Sequence, residues 1–297
     1  MMELMAPKVS VLTTVYNREK WLPEAVQSVL TNGYDDFEII LVDDNSSDGS
    51  WRIAQEFCEC DPRVRAFKNE TNLGDYPNRN VAASLARGNY LKYVDSDDIL
   101  LPGSLSRFVS AMDQNPEAAY AITADEDLLL QPNDTLHRAL FEFKRAIGGA
   151  PGNLLIRRSH FLAAGGFENH PCTGDYELQT NLAAKYPILL VCADFVQIRT
   201  LDFNQSAIHL QTTQTRKRIH DLTLTYARNA GTLPPELRMK VCRQAKILLA
   251  REIFKEIYRF KISNYLELRR NFHAITGHGL WSSLLMKKHK SLFDVRH

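Results

Sequence analysis

The sequence predicts an α/β fold: a Rossmann-like, mostly parallel sheet with helices on both faces, followed by a C-terminal helical extension. Three observations predict it. Short apolar, β-branched runs alternate with segments whose apolar residues recur at helical spacing, the pattern of strands joined by crossover helices. Polar or acidic clusters follow directly on three of those strands. From about Arg216 onward the chain reads as almost wholly helical, broken at Pro234-Pro235. There Val241, Ala245, Leu248, Leu249, Ile253 and Ile257 make an apolar face against lysines and arginines. The expected domains are therefore residues 1–215 and 216–297.

Each element has a local reason. Residues 9–15 (VSVLTTV) form a strand, because β-branched side chains fit a buried, pleated surface. Residues 19–32 form a helix with Trp21, Leu22, Ala25, Val26, Val29 and Leu30 on one face. Pro23 lies in its first turn and Gly33 ends it. Residues 37–42 are a second strand running into Asp43 and Asp44. Ser47 or Asp48 caps the next helix, which carries Trp51, Ile53, Ala54 and Phe57. Strands follow at 64–67, 90–94 and 118–123. Between them lie helices at 77–86 and after Pro102, the latter with Leu105, Phe108, Val109 and Met112 inward. Residues 124–151 read as irregular and 153–158 as a strand. Gly165-Gly166-Phe167 is a turn, 175–185 a helix with Leu178 and Leu182 inward, and 188–198 one or two strands. Crossovers in such a sheet are right-handed and ligands bind beyond the strands' carboxyl ends. Tyr16-Asn17, Asp43-Asp44 and Asp95-Ser96-Asp97-Asp98 thus converge on one edge.

Composition narrows the class. The chain has 297 residues, 44% hydrophobic and 24% charged, ample for a large core. No run of eighteen apolar residues predicts a membrane span, and MMELMAPKVS lacks the basic-then-apolar order of a secretory signal. The cysteines, Cys58, Cys60, Cys172, Cys192 and Cys242, are odd in number and form no CxxC pair. That argues against a disulfide framework or zinc site and for a reducing cytosol. Charge is asymmetric: residues 1–215 carry about −11 and 216–297 about +12. The basic segment is either a set of solvated helix faces or a contact with an anionic surface, phospholipid headgroups or a phosphate-bearing substrate. Nucleic acid is not expected as a partner, since the acidic half repels a phosphate backbone and no recognition module is present.

Four constellations carry chemistry. Asp95-Ser96-Asp97-Asp98 packs three carboxylates into four residues, whose repulsion a hard divalent cation would relieve. Asp43-Asp44-Asn45-Ser46-Ser47-Asp48 supplies more acid than capping requires, so Asp43 or Asp44 can accept a base N–H or a ribose hydroxyl. In Asn72-Leu73-Gly74-Asp75-Tyr76-Pro77-Asn78-Arg79-Asn80, Arg79 lies near a helix start, where an anion meets guanidinium and backbone N–H groups together. In Gly174-Asp175-Tyr176-Glu177-Leu178, Asp175 opens a helix and can face a cleft.

Taken in order, VSVLTTVYNREKWLPEAVQSVL, FEIILVDDNSSDGS, NLGDYPNRNVAASLARGNYLKYVDSDDILLPGSL, GGF and GDYEL resemble glycosyltransferase family 2, inverting enzymes of the GT-A fold. The resemblance covers residues 8–210. It implies that Thr14 and Tyr16 line a base pocket, Tyr16 by stacking, and that Asp44 reads a uracil edge. Arg79 contacts the nucleotide, Asp95 the ribose or donor sugar, and Asp97 of the D-x-D motif ligates Mn²⁺ or Mg²⁺. Asp175 is the general base, with Asp98 and Glu177 supporting. His209 falls where the family closes a loop over the donor. Gly174 stands where the family often has glutamate, and Gln179 where it often has tryptophan. Gln211 is followed by Thr212, Thr213 and Gln214, so the QxxRW signature of processive members is missing.

The implied activity is metal-dependent transfer of one hexosyl or N-acetylhexosaminyl unit from a nucleotide sugar, taken as a UDP-sugar. The acceptor is a glycan or lipid-linked saccharide hydroxyl in surface polysaccharide biosynthesis, and the enzyme is cytoplasmic or peripheral on the inner membrane face. A nucleotidyltransferase is disfavoured because VLTTVYNREK holds no glycine. A non-catalytic nucleotide-sugar binder is supported only by Gly174 and Gln179.

Overall fold

The computed structural model describes residues 6–137, 147–170 and 173–199, and the helical residues Pro235, Met239 and Arg243. The chain divides into two units, 1–210 and 211–297. The expected helical faces of 216–297 and the loop at His209 lie outside the described residues, those three positions apart. Within the first unit the order is β1 (Val9–Val15), α1 (Leu22–Leu30), β2 (Phe37–Asp43), α2 (Ser50–Cys60), β3 (Val64–Lys68), α3 (Asp75–Leu85), β4 (Tyr90–Tyr93) and β5 (Ile99–Leu100). It continues with α4 (Ser104–Gln114), β6 (Tyr120–Thr123), β7 (Leu128–Leu130), α5 (Pro132–His137), β8 (Leu154–Arg157), α6 (Arg158–Ala163), α7 (Gly174–Lys185), β9 (Ile188–Val191) and β10 (Val196–Gln197).

Eight strands form one sheet in the order β3-β2-β1-β4-β8-β6-β9-β7, and β10 pairs with β5 apart from it. β1, β2, β3 and β4 are parallel, with Val15 opposite Asp43 where β1 and β2 end. β8 enters antiparallel between β4 and β6, and β7 closes the far edge antiparallel to β9. Side chains of a strand alternate between faces, and two cores follow from that. Val9, Val11 and Val15 of β1 with Ile39 and Leu41 of β2 pack beside Leu22, Val26, Ala54 and Phe108 from α1, α2 and α4. Leu12, Ile40 and Val42 turn the other way, with Ala82, Ala83, Phe161 and Leu178 from α3, α6 and α7. Both faces are covered, so the central strands read as near-continuous apolar runs.

Several details differ from the sequence reading. α1 begins at Leu22. The N-cap of α2 is Gly49 without a side-chain cap. Asp48 instead accepts the Ser50 N–H at 2.9 Å and the Glu19 N–H at 3.1 Å, so it ties two loops together as well as serving the helix start. Part of the stretch read as irregular forms β7 and α5, and α6 occupies 158–163, where no helix was expected. These elements are short, and tertiary pairing rather than periodicity fixes them. Among the described residues no helix is long and apolar enough to cross a membrane.

Candidate functional site

The carboxyl ends of β1, β2 and β4 open onto a pocket of about 540 Å³. The loops that form it are laced to one another. Beyond β1 the chain turns through Asn17 at φ 53°, and beyond β2 through Asn45 at φ 62°, a left-handed geometry that asparagine tolerates better than most residues. The Asn17 N–H donates to Ser46 Oγ at 3.0 Å, and Asn17 Oδ1 accepts the Ser47 N–H at 2.9 Å. Asp44 is buried. Its Oδ1 accepts from Asn69 Nδ2 at 2.8 Å and from the Leu73 N–H at 2.9 Å; its Oδ2 accepts the Gly74 N–H at 2.9 Å. Gly74 makes this turn at φ 88°, open to glycine but strained for a residue with a Cβ. A carboxylate oxygen accepts about two hydrogen bonds, so Oδ2 keeps one site while Oδ1 is filled.

Arg79, buried on α3, lies between two acids. Its Nε reaches Asp75 Oδ1 and its guanidinium reaches Asp95 Oδ1, both at 2.7 Å. Burial alone would raise Asp95, but the charge and hydrogen bond of Arg79 outweigh it and hold that carboxyl below its ordinary value. Two residues on, the balance reverses. Burial and then the charge of Asp95 raise Asp97, against a weaker pull from Arg18, whose Nε is 3.4 Å from Asp97 Oδ2. Burial and Asp95 also push Asp98 up to about 7. One loop thus holds an ionised acid and two acids reluctant to ionise.

The structure brings Thr14, Tyr16, Asp44, Arg79, Asp95 and Asp97 to the walls of this one pocket. Tyr16 is half exposed, its ring available for stacking. Asp175 is not among the lining residues. It adjoins the pocket through α3, accepting from the Tyr76 hydroxyl at 3.2 Å, next to Asp75 in sequence. Burial raises the Asp175 carboxyl, partly offset by the Tyr176 N–H, Tyr76 and Arg79. Among the described residues no three His, Cys, Asp or Glu side chains converge as a metal cage. A hard cation here would rest on one or two carboxylates, Asp97 foremost, and on substrate phosphates, a usual arrangement for Mg²⁺.

Both departures at α7 have structural causes. A Cβ on Gly174 would stand 2.9 Å from Tyr76 Cε2 and 2.5 Å from the Glu168 carbonyl oxygen. Gln179, buried, accepts the N–H groups of Gly148 and Gly149 at 2.9 and 3.2 Å and donates to the Gly149 carbonyl at 2.6 Å. Sequence reasoning missed three residues. Arg18 lies two residues after Tyr16, beyond Asn17, a signal that was present. Tyr76 lies within the Asn72–Asn80 motif, where its spacing implied no role. Lys92 interrupts the apolar strand YLKYV; it is fully buried, its Nζ donates to the Gly152 carbonyl and lies 3.7 Å from the Phe195 ring centroid. Burial drives its pKa far down, although Asp95 and Asp98 oppose this.

The fold is that of the GT-A glycosyltransferases. S. aureus TarS 1–349, solved in complex with UDP-GlcNAc, matches with a TM-score of 0.70 at 16% identity over 90% of this chain and 81% of that one. The mannosyltransferase PcManGT from Pyrobaculum calidifontis, solved with GDP-Man and Mn²⁺, matches with a TM-score of 0.57 at 17% identity over 99% of this chain and 89% of that one. Glycosyltransferase GlyG of Streptococcus pneumoniae serotype 4 is 42% identical over 96 residues, 32% of either chain. The chain spans less than half the length of the curated relatives it matches. The model of the family described as glycosyl transferase family 2 matches residues 10–163. Because that match takes in more than half of the sequence, and the motif residues it contains meet at one pocket, the chain belongs to glycosyl transferase family 2.

Proposed function

We propose that this chain is a metal-dependent, inverting glycosyltransferase that moves one sugar from a nucleoside-diphosphate sugar, a UDP-sugar by preference, to a saccharide hydroxyl. The observation that carries the reading is the convergence of Thr14, Tyr16, Asp44, Arg79, Asp95 and Asp97 on one pocket. Tyr16 stacks on the base, and the remaining acceptor site of Asp44 Oδ2 takes a base N–H. Arg79 fixes Asp95, which receives ribose or sugar hydroxyls and faces the nucleotide. Asp97 would hold Mn²⁺ or Mg²⁺, and such a cation would supply charge stabilisation for the departing phosphate oxygen. Asp175 accepts the proton of the attacking hydroxyl, and its raised pKa makes it the stronger base. The two acids come from separate segments, as attack opposite the leaving group requires: Asp97 lines the pocket, and Asp175 adjoins it through Tyr76.

A thermal-shift panel tests this: UDP-glucose, UDP-N-acetylglucosamine and GDP-mannose, each with and without Mn²⁺. A ligand at a hundred times its Kd stabilises by about 2.7 kcal/mol. We expect a UDP-sugar to stabilise the protein only with the metal, and Asp97→Ala to lose that dependence. A panel with no stabilising sugar, or an effect indifferent to Mn²⁺ and to Asp97→Ala, would refute the reading.

The acceptor we propose is a glycan or lipid-linked saccharide of surface polysaccharide biosynthesis, reached at the inner face of the plasma membrane. The net charge of about +12 on residues 216–297 supports contact with anionic headgroups. Sedimentation with anionic liposomes at low salt should carry the intact protein down; failure to do so removes the membrane from the proposal.

A further inference from the structure

Asp175 has two oxygens, and the fold treats them differently. Oδ1 accepts both the Tyr176 N–H at 2.8 Å and the Tyr76 hydroxyl at 3.2 Å. Oδ2 accepts no hydrogen bond from any other described residue. Tyr76 is buried on the first turn of α3, its ring centroid 5.4 Å from that of Phe167. The ring fills the space that Gly174, the residue before the acid, leaves by having no side chain. One turn further along the helix, Asn80 donates to the Phe167 carbonyl at 2.8 Å and accepts the Phe167 N–H at 2.9 Å. The same helix bonds Asp95 through Arg79. A single rigid element therefore grips the acidic loop on one side and the segment leading to Asp175 on the other.

We propose that Tyr76 is a positioning residue for the base: it pins Asp175 Oδ1, so that Oδ2 is the oxygen presented to the incoming hydroxyl. The proposal rests on the reading of Asp175 as the general base. The tyrosine keeps its proton for this task, since burial and the Asp175 charge both raise its pKa. The other charged group facing Asp175 is Arg79, from α3, while Asp75 faces Tyr76 itself. On its own helix Glu177 pairs with His170 at 2.8 Å.

The test needs no substrate at first. In full-length protein labelled with ¹³C at aspartate carboxyls, the Asp175 signal is assigned by its loss in Asp175→Asn and titrated in the parent and in Tyr76→Phe. Phenylalanine keeps the ring against Phe167 and removes only the donor. The expected result is an Asp175 midpoint higher by about 0.5 to 1 pH unit, with Tm unchanged. A fluorotyrosine at position 76, still a donor, returns the midpoint to the parent value or below. With the nucleotide sugar selected by the thermal-shift panel, Tyr76→Phe lowers kcat about 5- to 10-fold and leaves the donor KM alone. An unmoved midpoint, or a Tyr76→Phe protein several degrees less stable, overturns the proposal. Transfer that survives in Asp175→Asn overturns the base reading instead, and the titration still reports whether Tyr76 holds the carboxylate.

Discussion

The two halves of the sheet are built on different principles. On the side of β3, β2, β1 and β4 all pairings are parallel, and the loops at the carboxyl edge bond to each other: Asn17 to Ser46 and Ser47, Asp44 to Leu73 and Gly74, Arg79 to Asp95. On the side of β8, β6, β9 and β7 parallel and antiparallel pairings mix. The acid of that half, Asp175, is steadied by Tyr76 from the other half, and its helix is anchored by a buried amide, Gln179. The first half, the proposed donor side, is thus held by charge-assisted bonds among motif residues. The second half, the proposed base side, is held by packing and by bonds to distant parts of the chain.

If that contrast is right, damage on the two sides should look different. The largest effect is expected on the base side and in chemistry alone. Asp175→Asn should cut transfer by about 10²- to 10⁴-fold while the metal-dependent thermal shift with donor stays at the parent value. A loss of donor binding together with transfer would mean that the halves are not separable. Arg79→Ala should act on the donor side and on stability as well. It leaves Asp75 and Asp95 without their guanidinium partner, with the weaker attraction of Lys92 and Arg18 still acting on Asp95; because both carboxyls keep some solvent contact, the cost is about 2–3 kcal/mol, read by urea denaturation. Donor affinity should fall with it.

Gln179→Ala sharpens the comparison from the other direction. It strands the N–H and carbonyl of Gly149 in a buried place and takes the acceptor from the N–H of the exposed Gly148. The expected loss is about 2 kcal/mol of stability, with the donor-induced thermal shift intact. A variant as stable as its parent would show that water replaces the amide, and that the base side is looser than described.

The same contrast explains what the sequence revealed. The strands and the acidic clusters of the donor side were legible because each is local: a β-branched run, then acids at its end. Convergence followed from the rule that parallel strands share a carboxyl edge. The Tyr76–Asp175 bond joins residues 99 apart, and no spacing rule connects them. Gly174 and Gln179 looked like departures from a pattern; in the fold one makes room for the Tyr76 ring and the other replaces packing with hydrogen bonds. β5 and β10, two residues each, exist only through each other. Lys92 was visible as a charge in an apolar strand, yet its partner, the Gly152 carbonyl, lies 60 residues away.

The smallest expected effect probes the acidic loop itself. Asp98 accepts the Arg199 N–H at 3.1 Å, an interaction that asparagine can keep. In the fold its carboxyl is pushed up to about 7, from an ordinary value of 3.8, by burial and by Asp95. Between pH 4 and pH 7 the folded protein therefore holds a proton that the unfolded chain has released. Raising the pH through this window favours the unfolded chain, and above pH 7 the full cost of a buried carboxylate remains. Asp98→Asn removes that titration. With chelator present it should be more stable than its parent by on the order of 1–2 kcal/mol at pH 8, and by almost nothing at pH 4. Lys92, whose pKa burial drives down in the fold, gives a slope of opposite sign, so the quantity to measure is the difference in Tm between variant and parent at each pH. A difference that does not grow with pH would mean that Asp98 is already ionised in the native loop, and that Arg79 and Lys92 neutralise this edge more completely than the geometry of Asp95 and Asp97 implies.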